Sequence, residues 1–464
     1  MTAASAPAEG RLPRSVLAAF TLPTLILGIM HGPEGLVQTI YAKHAGIALT
    51  ALAAATLLSK MLDAVTYPLI GHLSDRSYAR RGTRKNWVIV GTIVSVLGIW
   101  KLLRPPQDVD AVYFGVWMAT TYLGWKFMEI PLQAWSYGLS ADYAQRTRVQ
   151  GWRAMAQMAG LLLFFAIPFL AVKLGYSDST ELDFRSLGLS AVICAIALPL
   201  ATLAAVIHVH DGVAAPPVVA KRPGWAEVFN AIRSNGPLQR LLAAFMSVSL
   251  LSGMMSGVAY LYIDTYLHLG RQFPAIMALA LLASFAGIPF WSVLAARYER
   301  HRVWAVSLIT GGIACTGFAL VSPGPMALPL AFVLYTVALF TLVGGVIVYA
   351  MSADIVDYGR LVTGRDHAGL YGAMFAFLQK SLTGVSSAAG LALVGFCGFD
   401  ATATTQSAGG ILIIKLVCAV LPALGLFGGA AIIWNYPLTR ERVNQIQVKL
   451  KISDNATRLI SGNE

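Results

Sequence analysis

Apolar residues along the chain gather into long blocks separated by short polar ones. The blocks lie near 16–39, 49–73, 86–103, 111–135, 151–173, 187–208, 238–262, 273–296, 303–322, 327–350, 369–397 and 409–435. Each is about the 20 residues a helix needs to cross a hydrocarbon core, and far longer than a barrel strand. Amide groups in lipid have no water to bond, so blocks of this length satisfy them by forming helices. The pattern therefore predicts an all-α integral membrane protein with twelve transmembrane helices. The first block follows a polar start carrying Arg11 and Arg14 and is too long for the h-region of a signal peptide. It reads as the first span.

Composition excludes a water-soluble surface. The chain is 57% hydrophobic and 12% charged, with a mean hydropathy of +0.66, whereas soluble proteins carry about a quarter charged residues. The net charge of +12 would suggest a nucleic-acid partner if it formed one patch. It alternates instead. Arg11, Arg14, Arg76, Arg80, Arg81, Arg84, Lys85, Arg146, Arg148, Lys221, Arg222, Arg297, Arg300, Arg302, Arg360, Arg440 and Arg442 fall between spans on one side; few basic residues, Lys43, Lys101 and Arg104 among them, fall on the other. This positive-inside asymmetry predicts that both termini are cytoplasmic. Cys194, Cys315, Cys397 and Cys418 all lie inside expected spans, which argues against a disulfide framework or a metal site.

The longest polar segment between spans divides the chain into a six-helix half at 1–209, a cytoplasmic linker at 210–237, a second six-helix half at 238–436 and a cytoplasmic tail at 437–464. A weak repeat supports that division. Pro68-Leu-Ile-Gly-His-Leu-Ser-Asp-Arg76 matches Pro289-Phe-Trp-Ser-Val-Leu-Ala-Ala-Arg297 at Pro, Leu and Arg, and Leu139-Ser-Ala-Asp142 matches Met351-Ser-Ala-Asp354. Arg148 and Arg360 follow the second pair in register. This plan resembles the major facilitator superfamily, whose halves rock about a site at the membrane midplane.

Two groups of residues carry candidate chemistry. Gly71, Asp75 and Arg76 lead into a basic run after the second span. Gly71 suits close helix approach, and Asp75 can pair with an arginine or a helix N-terminus to hold one state closed. Asp142, Arg148, Asp354 and Asp357 are the matching gating candidates after spans four and ten. The second group lies at membrane depth, where a charge costs several kcal/mol and is by default functional. It comprises Glu34, Lys60, Asp63, Lys126, Glu129, Arg153 and Lys380. Lys60 and Asp63 are three residues apart, as are Lys126 and Glu129, so each pair shares a helix face. Each reads either as a local ion pair or as a carboxylate that trades an internal cation for a proton or sodium ion. Glu34 follows Pro33, where the first helix is expected to kink. Trp117, Tyr122, Trp125, Trp135 and Tyr137 could stack on a solute, although belts and core packing explain most such residues. His31 and His72 stand alone in their spans and read as satisfied structural histidines. No zinc-binding H-E-x-x-H and no Ser-His arrangement is present, so an enzyme is not expected.

Four stretches identify a family. They are Leu62 to Arg76, Met128 to Trp135 with Asp142 to Arg148, Gly287 to Trp291, and Ala353 to Tyr358 running on to Lys380. In this order and over essentially the whole chain they resemble the glycoside-pentoside-hexuronide:cation symporters, the branch of the major facilitator superfamily that includes melibiose permease. The chain also looks related to sodium-dependent lysolipid transporters of that branch. The resemblance implies a cation site at Asp63, Thr66 and Lys380, and a substrate site at Glu129, Lys126, Gln133, Arg153 and Glu34. Tyr67 stands where the family has a second carboxylate, Lys126 where it has a Thr, Gln133 where it has a stacking Trp, and Leu27 near its first-helix carboxylate. These departures lean towards proton coupling and away from galactoside recognition. The expected function is a secondary transporter, a proton- or sodium-coupled symporter of a small polar solute such as a sugar, glycoside or uronide. Membrane lipid surrounds it, it is expected to be monomeric in the cytoplasmic (inner) membrane, and no cofactor, metal or nucleic acid is expected. The alternatives are a lysolipid transporter of the same fold, a non-transporting sensor or a membrane-embedded enzyme.

Overall fold

The computed structural model describes residues 12–140, 142–211, 232–363, 368–403 and 405–461. Some side chains within its helices, that of Lys380 among them, lie outside the described residues. The described chain is helical, with no strand. Among the described residues, ten helices are long and apolar enough to cross a membrane by length and composition.

The chain divides into two compact units, Met1–Val219 with Gly270–Ala275, and Ala220–Leu269 with Ile276–Glu464. The first holds α1 (Arg14–His31), α2 (Val37–Ala45), α3 (Leu49–Arg81), α4 (Lys85–Leu103), α5 (Ala111–Gly138), α6 (Tyr143–Lys173) and α7 (Phe184–His208). Within it α1 packs on α6 and α7, and α5 packs on α3 and α4. The second holds α8 (Gly236–Leu261), α9 (Phe273–Arg297), α10 (Arg300–Leu320), α11 (Ala327–Leu342), α12 (Val346–Thr363), α13 (Ala368–Phe396), α14 (Ala408–Lys415), α15 (Leu421–Trp434) and α16 (Arg440–Ser461). Here α8 packs on α13 and α15, and α10 on α11 and α15.

Helix starts are written in short polar side chains. Asp110 accepts a hydrogen bond from Tyr113 N at 2.8 Å at the head of α5. Asp183 and Ser186 form a reciprocal capping box at the head of α7, and Asn235 caps α8.

The expected continuous first span, 16–39, is broken. Pro33 has no N–H to donate and its ring opposes a straight helix. The chain turns between His31 and Val37, with Glu34 N on His31 O at 3.1 Å and Leu36 N on Pro33 O at 2.9 Å. The spans expected at 238–262 and 409–435 pass through π-helical turns, Tyr262–Tyr266 and Leu416–Val420. The span expected at 327–350 runs on through a 3-10 turn, Val343–Gly345, into α12. The tail after 437 is mostly the helix α16, and it lays Val443 and Ile446, 8% and 4% exposed, on the second unit.

Helix contacts inside each unit rest on small residues. Gly28 of α1 and Gly160 of α6 lie back to back: a Cβ on Gly160 would fall 2.0 Å from Leu25 O and 2.9 Å from Gly28 Cα. Backbones approach this closely only where no side chain intervenes. Gly160→Ala therefore forces α1 and α6 apart and is expected to lower unfolding stability by about 1–3 kcal/mol. Gly151→Ala on the same helix is the control, because its Cβ meets nothing within 4 Å. Thermal unfolding of both variants in detergent checks this; equal melting temperatures would contradict it.

Candidate functional site

The break at Pro33 puts Glu34 beside α3 and α5 in the first unit. Lys60 of α3 forms an ion pair with Glu34 Oε1 and stands 4.5 Å over the Tyr122 ring of α5. Lys126 of α5, with a side chain 6% exposed, lies 3.2 Å from Glu129 Oε2 and 3.7 Å from Asp63 Oδ1. The two i,i+3 pairs read from the sequence thus meet different fates. Lys126 and Glu129 do form a local pair. Lys60 and Asp63 do not: each finds its partner on another element.

His31 corrects the reading of a solitary structural histidine. Its Nδ1 lies 3.2 Å from Glu34 Oε2 and its Nε2 3.3 Å from Glu129 Oε1. The ring also lies on Trp125, with centroids 4.2 Å apart. Its spacing to Glu34 is the same i,i+3 relation that flagged the other pairs, so a signal was present. Trp125 and Tyr122 belong to this cluster, whereas Trp135 is core: it is 1% exposed and its indole N–H donates to His210 O at 2.8 Å.

Arg153 of α6 is held differently. Its Nη1 donates to Gln133 Oε1, to Ser136 Oγ at 3.4 Å and to Gln150 Oε1 at 3.4 Å. Its Nε is buried without a hydrogen bond. Among the described residues no carboxylate lies within ion-pair distance of this guanidinium. Gln133 in turn donates to Tyr137 Oη at 2.5 Å.

Thr66 donates its hydroxyl to Leu62 O at 2.9 Å, along its own helix, which leaves oxygen lone pairs open. An external cation at Asp63 has to compete with the Lys126 ammonium already facing that carboxylate. No cluster of three or more His, Cys, Asp or Glu residues suited to a metal ion occurs among the described residues. The Lys380 side chain lies outside them.

Of the gating candidates, Asp142 and Arg148 lie at the start of α6, Gly71, Asp75 and Arg76 lie within α3, and Asp354 and Asp357 lie within α12. Asp75, 67% exposed, pairs with Arg84 at 3.1 Å, and Arg84 stacks on Tyr78 at 3.8 Å. Gly71 is no close-approach position, because a Cβ there would meet only Ile130 Cγ2, at 3.9 Å. Arg76 is exposed. Asp142 accepts from Gln145 N at 3.2 Å at the head of α6, and Arg148 donates to Leu12 O at 3.0 Å. In the second unit Arg300 Nη1 donates to both oxygens of Asp354, at 2.7 and 2.6 Å. Asp357 accepts from Gln447 of α16 at 3.1 Å. Residues in register in the two halves thus make different contacts.

Apolar helices of spanning length that bury a network of ionised side chains define a multi-pass membrane transporter. Residues 17–440 match the family described as MFS/sugar transport protein, and the chain belongs to that family. It is 22% identical to the sodium-dependent lysophosphatidylcholine symporter 1-A of Danio rerio, over 82% of this chain and 77% of that one. It is 23% identical to the glucuronide carrier protein homolog of Escherichia coli strain K12, over 88% of this chain and 89% of that one. The fold is similar to that of the nucleoside transporter NupG, with a TM-score of 0.63 at 12% identity, covering 91% of this chain and 100% of that one. These relatives and fold neighbours are transporters and not enzymes.

Removing one member of a buried ion pair leaves a charge uncompensated and costs about 3–5 kcal/mol. Lys126→Met is expected to lose that much, because it removes the ammonium that faces both Asp63 and Glu129. Adding Asp63→Asn and Glu129→Gln to it should restore most of the loss. Thermal unfolding of the single and triple variants checks this; a triple variant less stable than the single would contradict it.

Proposed function

We propose that this chain is a cation-coupled symporter of a small polar solute bearing a carboxylate, an acidic sugar or uronide, working by alternating access. The observation that carries the reading is Arg153: a partly buried guanidinium that has, among the described residues, neutral partners on one nitrogen, a buried Nε with no hydrogen bond and no carboxylate within ion-pair distance. A planar fork of this kind suits a carboxylate, which it can bind through two parallel hydrogen bonds. Gln133 and Glu129 stand where they can meet the hydroxyls of the same solute, and Lys126 and Glu34 hold the surrounding charges. The coupling cation acts through Asp63 with Thr66 and Lys380. Asp75, Arg76, Asp142, Arg148, Asp354 and Asp357 act as closures. The name of the glucuronide carrier relative supports an acidic sugar.

Adding α5 and α13 to the ten apolar helices makes twelve spans, six in each unit. Both termini are placed in the cytoplasm and the protein in the cytoplasmic membrane, in line with the basic residues that crowd one side.

The test is uptake by proteoliposomes of a glucuronide, lactose and lysophosphatidylcholine, under imposed sodium or pH gradients. Glucuronide is expected to accumulate. Arg153→Gln should weaken its half-saturation about thirtyfold, the low end of what truncating a buried charged hydrogen bond costs. Asp63→Asn should abolish accumulation driven by the cation gradient. Accumulation of lactose or lysophosphatidylcholine with no response to glucuronide would overturn the solute class.

A further inference from the structure

Each ring nitrogen of His31 faces a carboxylate. Nδ1 lies 3.2 Å from Glu34 Oε2 and Nε2 3.3 Å from Glu129 Oε1. Nε2 is buried and makes no hydrogen bond, so its approach to Glu129 is a contact of charge at ion-pair distance. A neutral imidazole has one N–H and one bare nitrogen. With the proton on Nδ1, the bare Nε2 would stand 3.3 Å from a carboxylate oxygen, negative end against negative charge, which is repulsive. Both contacts are attractive only when the unit Glu34–His31–Glu129 holds one proton more than a neutral ring between two carboxylates. That proton makes the ring an imidazolium, or makes one carboxyl a donor to the bare nitrogen.

The charges around the ring point the same way. Lys60 of α3 pairs with Glu34, and Lys126 of α5 lies between Glu129 and Asp63. Trp125 stacks on the ring, Tyr122 packs edge-on against Trp125 at 5.2 Å, and Tyr67 of α3 lies 5.8 Å from Lys126 Nζ. Arg153 of α6 reaches the group through Gln133. Among the described residues, three carboxylates (Glu34, Asp63, Glu129) lie with three permanent cations: Lys60 and Lys126 paired with them, and Arg153 joined only through Gln133. Over these described side chains, which exclude Lys380, the sum is zero with the His31 unit unprotonated, and +1 with its proton. A monoanionic solute returns the sum to zero.

We propose that the coupled ion is a proton, that the Glu34–His31–Glu129 unit holds it with His31 as carrier, and that Asp63 acts on this unit through Lys126, the ammonium it shares with Glu129. The proton comes from water on one side of the membrane, binds the ring, and leaves to water on the other; no covalent bond changes. The solute half of the cycle rests on the reading above that Arg153 and Glu129 hold a carboxylate-bearing solute. The negative charge of a solute carboxylate held by Arg153 favours a proton on the ring, so solute and proton occupancy rise together.

The test is solid-state NMR of the full chain in lipid bilayers with ring-15N histidine, of which the chain has 8. The His31 signal is identified by its loss in His31→Gln. If that variant fails to fold, it is identified by its displacement in Glu129→Gln, which keeps the ring. At pH 7 the expected result is a ring protonated on both nitrogens, or one whose bare nitrogen accepts a hydrogen bond from a carboxyl. In proteoliposomes His31→Gln should lose accumulation of glucuronide driven by a pH gradient. A ring with one bare nitrogen and no hydrogen bond to it overturns the proposal, as does pH-driven accumulation by His31→Gln at the wild-type level. A doubly protonated ring in a protein that takes up no glucuronide supports the proton site and refutes the solute class. Sodium-driven uptake with a neutral ring refutes the proton site and leaves the symporter reading standing.

Discussion

A carboxylate cannot be left uncompensated in a hydrocarbon layer, and the first unit places three of them, Glu34, Asp63 and Glu129, among its apolar helices. Much of the local architecture answers that constraint. The break at Pro33 turns Glu34 out of the first span and towards Lys60. Lys126 serves two carboxylates at once, and His31 bridges two more contacts. The Gly28–Gly160 crossing brings α1 against α6, the helices that carry His31 and Arg153. Without these compensations the segments would still be apolar on average, but the cost of each bare charge would exceed the gain from packing around it.

Shared partners are what make such a network useful. Lys126 has Asp63 and Glu129, Glu34 has Lys60 and His31, and Glu129 has Lys126 and His31. A group with two partners can release one at a smaller cost than a group with a single partner, because its charge stays compensated. Ligands that compete for one member then shift the others, which is the condition for linked binding at two places. Arg153 stands at the edge of this set with neutral partners only, so it offers a charge where the rest are already engaged. Asp75 and Arg84, by contrast, pair in the open, where an ion pair adds little.

The helical, multi-spanning class was legible because spanning length and polarity are local properties of the chain. So was the kink beside Glu34, since proline acts on its own backbone. Pairing across helices was not. The spacing of Lys60 and Asp63 puts them on one face of α3, but whether they meet each other or residues of α1 and α5 depends on how three helices pack. His31 was undervalued partly for the same reason: Glu34 stands three residues on in its expected span, but its second carboxylate arrives from α5. The π-helical turns at Tyr262–Tyr266 and Leu416–Val420 leave no Pro or Gly inside them to announce them. Gly71 shows the opposite error. A glycine in a motif suggested close approach, while α5 stays at ordinary contact distance there.

The central claim is that a charge-balanced network in the first unit binds an anionic solute together with a proton. Proton uptake on solute binding tests it most directly. Glucuronide is added to the purified protein in weakly buffered solution, and the pH change is read with an indicator dye. With the starting pH set high enough to leave the His31 unit unprotonated, uptake approaching one proton per glucuronide bound is expected, since linked sites fill together. Glucuronide binding with no change in pH, or binding that requires sodium, would contradict it.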